Sequence, residues 1–360
     1  MGSWGSLKAL CLVLALGLGG CATGSAEKGA AVDGWKLGDR CTYTGAKGTY
    51  AANVLIPDAH EKMVALVNRQ RGDVGEILKA FYATYEDVFD VLVIYAPNLP
   101  PGRVAARFMR VAKPNLPETG VNGWRPKLSA IAPNLQGVIL ARSTRSGTFR
   151  GPLYHEMMHE FGVNIRPITT LRIDSHWGAI GVNGVLGGFD GSTLRCFSPK
   201  GAMPPHCDPA PSGEKGRFRV LIKSFGTRVN NVGLGRFAPL ELYLMGLLPP
   251  EEVEPVVWLD KPKRIKEFSS GSIDTYEVSG VQRLTMGEIL AANGGKPRRL
   301  LPPEERVRRM AFVLVTEEPA DPKHMEALSK TAKGVGSVEL YLPLSYCKAT
   351  GGRSHVRTDL

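Results

Sequence analysis

No self-similar period of roughly 20 to 50 residues runs through the chain, which argues against a solenoid or a propeller. No Cys-x-x-Cys pair occurs, so a thiolate-built zinc knuckle is a poor reading. Nor does the apolar stretch near the start span a bilayer: it holds about a dozen apolar or small residues, too few to cross roughly 30 Å of hydrocarbon as a helix. Aromatic residues do not interleave with the basic clusters "KPKRIK" (261–266) and "KPRR" (296–299). The formal charge of +11 therefore reads as a solvated basic face suited to anionic headgroups or acidic polymers, not as a nucleic-acid interface. What is present is ordinary: 43% hydrophobic and 22% charged residues, enough to bury a substantial core.

The opening "MGSWGSLKALCLVLALGLGGCATGSAEKG" has one cation, Lys8, followed by the short apolar run and then Leu18-Gly19-Gly20-Cys21. That order fits an export signal. Its Leu-x-Gly-Cys ending resembles a bacterial lipobox, which implies cleavage before Cys21 and a membrane anchor through the lipidated thiol. Ala22 in place of aspartate is consistent with an outer-membrane lipoprotein, on its periplasmic or cell-surface face, in a Gram-negative bacterium. The expected division is a signal over 1–20, a small, polar tether over 21–45 and a single domain over 46–360, with residue 162 as the place where two lobes would part. Once Cys11 leaves with the signal and Cys21 is lipidated, Cys41, Cys196, Cys207 and Cys347 remain, an even number for an oxidising compartment. Cys196–Cys207 is the local pairing, leaving Cys41–Cys347.

Helical spacing along "EKMVALVNRQRGDVGEILKAFYATYEDVF" places Ile77, Phe81 and Tyr85 on one stripe, continued by Val88. "DVLVIYAP" (91–96 before Pro97) and "GVILAR" (137–142) read as buried strands. From 163 to 237 the sequence reads as loop-rich. A short apolar helix or turn in "APLELYLMGLLPPEEV" is expected to end at Pro249-Pro250. "LTMGEILAANGG" offers Thr285 and Glu288 as a capping box, "MAFVLVT" is a strand and "PKHMEALSKTAKG" a closing helix. The fold class expected is α+β, a mixed α/β arrangement with a twisted sheet.

"GPLYHEMMHEFG" (151–162) carries the chemistry. Pro152 suits a first helical turn and Gly162 the residue past the last, while Leu153, Met157 and Phe161 recur every fourth residue as a core face. His155 and His159 fall on another stripe. On a helix, side chains four apart stand about 5–6 Å from each other, so two imidazoles can share one Zn²⁺. Glu156 sits beside them as general base for a zinc-held water.

His155-Glu156-x-x-His159-x-x-Gly162 resembles the metzincin zinc peptidases. Their short form places a third histidine three residues after the glycine, where this chain has Ile165. The resemblance is therefore to members with an insertion at this point, such as leishmanolysin-type enzymes, and it implies a zincin-like sheet packed on the active-site helix. His176 in "RIDSHWG" is the candidate third ligand, with Asp174 as an outer partner; His206 and Glu241 are its rivals. Met245 is the choice for the methionine turn that such enzymes place beneath the zinc, and Tyr243 for a group reaching the oxyanion. The resemblance spans residues 150–250 at most. It implies a metalloendopeptidase acting on proteins or peptides, with Zn²⁺ as cofactor; a monomer is the expectation, and the charge pattern already argues against a nucleic-acid partner. A binding or scaffold lipoprotein, with a structural zinc or none, is the alternative.

Overall fold

Val, Ile and Leu fill the segments that pair at the centre of the molecule, and both neighbouring runs VLVIY and GVILA are buried at every residue. A strand without an exposed face belongs to a sheet covered on both sides. The computed structural model describes residues 49–68, 74–100, 106–112, 125–142, 152–161, 165, 176–178, 180–197, 218–222, 235–267, 274–337 and 345–360. The expected signal and tether lie outside them.

In chain order the first elements are β1 (Ala52–Leu55), α1 (Ala59–Val67), α2 (Gly75–Tyr82), β2 (Val91–Tyr95), β3 (Ala106–Arg110), α3 (Pro126–Ser129), β4 (Gly137–Ala141), α4 (Pro152–Met158) and β5 (Ile180–Gly181). There follow β6 (Arg195–Phe197), β7 (Phe218–Ile222), α5 (Pro239–Leu244), β8 (Val256–Asp260), β9 (Lys263–Glu267), β10 (Asp274–Val278) and β11 (Gly280–Leu284). The last are α6 (Met286–Ala292), β12 (Val307–Thr316), α7 (Pro322–Gly336), α8 (Tyr346–Ala349) and β13 (His355–Arg357).

The fold is mixed α+β around a central mixed sheet. Its strand order is β1-β12-β2-β4-β3, with β13 beside the start of β12. The first four strands run parallel and β3 closes one edge antiparallel to β4. Side chains alternate across a strand. Leu92, Ile94, Val138, Leu140, Val313 and Met109 accordingly pack with α1 and α2 residues such as Met63, Leu66, Leu78 and Phe81 on one face. Phe108 and Arg110, of opposite parity, point to the other face, where α4 lies. Two smaller sheets, β6-β7-β10-β9 and β11-β8-β5, complete the strands among the described residues.

The expected strands at 91–96 and 137–142 are β2 and β4, and "MAFVLVT" is the larger part of β12. The capping box at α6 forms, with Thr285 N–H donating to Glu288 at 2.7 Å and Glu288 N–H donating to the Thr285 hydroxyl at 3.3 Å. Three expectations need correction. The stripe through Tyr85 and Val88 outruns its helix: α2 ends at Tyr82, and Tyr85 returns by stacking on Phe81 at 4.7 Å while Val88 is exposed. The stretch 163–237 holds β5, β6 and β7 besides loops, because short strands such as FRVLI gain their pairing from distant partners. Finally, α5 stops before Pro249. Gly246, at φ 72°, and Leu247 donate to the carbonyls of Tyr243 and Leu242, a Schellman stop that needs a glycine at the left-handed position.

Cys347 is buried and disulfide-bonded; both expected pairings involve residues outside those described. No helix among the described residues is long and apolar enough to cross a membrane.

The central strand should dominate stability. Leu314→Ala in β12, fully buried, is expected to cost about 2–5 kcal/mol in urea unfolding. Leu300→Ala, at a position 43% exposed, should stay within about 0.5 kcal/mol of the parent.

Candidate metal centre

α4 begins at Pro152, and every residue from Pro152 to Met158 is buried. A surface helix carrying two incidental histidines is thereby excluded. The helix is shorter than expected: it ends at Met158, and Glu160 and Phe161 close tighter turns onto Met157 and Met158 at 3.0 and 3.1 Å. Gly162, the expected stop, lies outside the described residues. His159 occupies this tightened turn, and its Nε2 lies 3.2 Å from Nε2 of His155.

His176 supplies a third imidazole, stacked on His155 with its Nε2 2.9 Å from the same His155 atom. The three ligand atoms all lie within 4.8 Å of one another, close enough to hold a metal ion. Nitrogens sharing a tetrahedral ion at about 2.0–2.1 Å are themselves about 3.3 Å apart, so the spacing fits a common ion.

Proton placement supports the same reading. Nδ1 of His155 lies 2.9 Å from the carbonyl oxygen of Val185. That oxygen can only accept, so Nδ1 carries the hydrogen and Nε2 turns its lone pair to the other two rings. Burial, reinforced by His176, pushes the His155 pKa down to about 4 against the pull of the Val185 carbonyl. His155 is thus a neutral imidazole at physiological pH, the form that ligates. His155 and His176 are buried while His159 is half-buried, leaving the His159 side as the more open one.

Glu241 joins the site in a different role from the third ligand considered for it. It sits at the third position of α5 with no solvent exposure. Its carboxylate accepts from Trp177 Nε1 (2.8 Å), Val185 N–H (2.9 Å), Leu186 N–H (3.0 Å) and Ala238 N–H (2.9 Å). Burial raises its pKa above the usual carboxylate value, against the opposite pull of these four bonds. All four partners are donors, which suits an ionised, acceptor-only carboxylate. Gly184 is packed against it: a Cβ there would stand 2.2 Å from the carboxyl carbon.

No family model, curated protein or solved structure matches this chain. Glu156 is buried beside the histidines in sequence, and its Oε2 accepts from the backbone N–H of Phe108 at 2.7 Å. Two residues along β3, Arg110 donates to the carbonyl of His159 at 3.0 Å and to that of Glu160. Arg308 of β12 pairs with the Glu160 carboxylate at 2.8 Å. Cations at the carboxyl end of a helix suit its dipole, so two strands grip the end that carries His159.

Tyr243, expected near an oxyanion, has its hydroxyl accepting the N–H of Arg298 at 2.8 Å. Met245 is buried at the end of α5, next to the Gly246 turn. Asp174 and the rival ligand His206 lie outside the described residues. Sequence reasoning missed Phe108, Arg110, Val185 and Arg308. Backbone groups carry no sequence signature, and an arginine in a strand has no local mark of its distant partner.

Removing a ligand should cost more than removing an outer partner. His159→Ala and His176→Ala are each expected to weaken binding of a divalent metal ion by more than the roughly 10–100-fold of an outer-shell change. Competition against a chromophoric chelator measures this; undiminished metal binding by the His176 variant would remove that residue from the site.

Proposed function

We propose that this chain is a zinc-dependent metalloendopeptidase with a zincin-like arrangement of sheet and active-site helix. The observation that carries the reading is the meeting of three imidazole nitrogens, with a glutamate adjacent in sequence on the same buried helix. His155, His159 and His176 would hold the ion; three neutral nitrogen donors suit Zn²⁺. When bound there, zinc supplies Lewis acidity towards water and towards a peptide carbonyl.

The remaining steps belong to the protein. Glu156 takes the proton of the attacking water and passes it to the leaving amine nitrogen. The Phe108 N–H orients its carboxylate for this by holding Oε2. Among the described residues β3 pairs with β4 alone, and an extended peptide would pair along its other edge, beside Glu156. Export and a lipid anchor at Cys21 belong to the same proposal and rest on the opening sequence. A protein or peptide substrate, a monomeric state and the absence of a nucleic-acid partner complete it.

Glu156→Gln is expected to bind one zinc per chain while kcat/KM on a quenched fluorescent peptide library falls about 10²–10⁴-fold. Chelation should abolish parental activity and zinc should restore it. Undiminished turnover by the glutamine variant, or turnover indifferent to chelator, would refute the peptidase reading. Zinc binding without turnover in the parent chain would favour the scaffold alternative.

A further inference from the structure

We infer that Glu241 is a positioning residue of the metal centre, one that sets how tightly His155 and His176 hold a divalent cation. The inference rests on the metal-site reading and is independent of peptidase activity. Two connections carry it.

The first runs through a single peptide unit. Glu241 Oε1 accepts the N–H of Leu186 at 3.0 Å, and the carbonyl of that same peptide, on Val185, receives Nδ1–H of His155 at 2.9 Å. Carboxylate, peptide and imidazole thus form one directed chain of hydrogen bonds. A negative charge at its far end polarises the peptide, strengthens the carbonyl as an acceptor and raises the donor power of the imidazole's opposite nitrogen. Ligating histidines commonly bond a carboxylate directly; here a peptide is interposed.

The second connection reaches His176. Trp177, its neighbour in the chain, donates its indole N–H to Glu241 at 2.8 Å, and the Trp177 backbone N–H donates to the Leu186 carbonyl at 3.1 Å. The bond from Val185 N–H to the other carboxylate oxygen closes the loop around the anion. Gly184 leaves no room between the two: any side chain there displaces the carboxylate. One buried anion therefore orients the ligand on the helix and the ligand on the loop together.

The full chain and its Glu241→Gln and Gly184→Ala variants test this by zinc titration against a chromophoric chelator, alongside melting with and without zinc. Glutamine keeps the shape but removes the charge, and alanine keeps the charge but moves it. Each variant is expected to raise the zinc Kd about 10–100-fold at unchanged stoichiometry, and to shrink the rise in Tm that zinc produces. A purely structural role would lower the Tm of the metal-free protein and leave the Kd alone. Folded variants that bind zinc within about threefold of the parent would overturn the inference. Should the glutamine variant fail to fold, the alanine variant decides. A parent chain that binds no zinc would instead sink the metal-site reading itself.

Discussion

Four N–H groups converge on one buried carboxylate, that of Glu241, and this convergence ties the segment beside the three histidines to the start of α5. An ionised carboxylate without solvent is costly, and it persists only where its oxygens are fully occupied. Hydrogen bonds to a charged group contribute about 1.5–3 kcal/mol each, so four of them offset much of that cost. They also join pieces that are far apart in the chain. Trp177, Val185 and Leu186 come from the loop after the metal helix, and Ala238 from the start of α5. A loop with little regular structure of its own is thereby held in one conformation.

The central sheet contributes from the opposite side. Along β3, the Phe108 N–H holds Glu156 while the Arg110 guanidinium holds the end of the helix carrying His159. Desolvation works against Arg308, yet the neighbouring charges of Glu160 and Asp90 outweigh it and keep the guanidinium protonated. The pair is partly buried, so removing one member leaves the other only partly compensated by solvent. The helix is thus fixed by charge at its end and by apolar packing along its length, with Leu153 and Met157 both buried. Glu156 and the histidines are left little freedom to drift relative to one another.

Much of the fold was legible in the sequence where local pattern and burial agree. β2 and β4 announce themselves as apolar runs, and α6 as a capping box, because short-range chemistry determines them. Legibility failed where a distant partner decides. Tyr85 has helical spacing from Phe81 but leaves the helix to stack on it from a turn. FRVLI became a strand only by pairing with β6 and β10. At the site, the spacing of His155 and His159 was sufficient to bring two imidazoles together, since the helix supplies the geometry. The third ligand was a choice among His176, His206 and Glu241, because chain separation says nothing about distance in space.

The sequence by itself therefore determined the apolar strands, the metal helix and the pair of histidines it carries: each depends on residues within a few positions, acting through fixed helical and strand periodicities. Tertiary structure decided that His176 meets them, that the Glu241 carboxylate stands buried behind the site and that Phe108 and Arg110 hold the helix from the sheet edge. These relations rest on backbone N–H and C=O groups, which every residue possesses alike. Only folding selects which of them face a carboxylate or an imidazole, and it does so by burying the alternatives away from water.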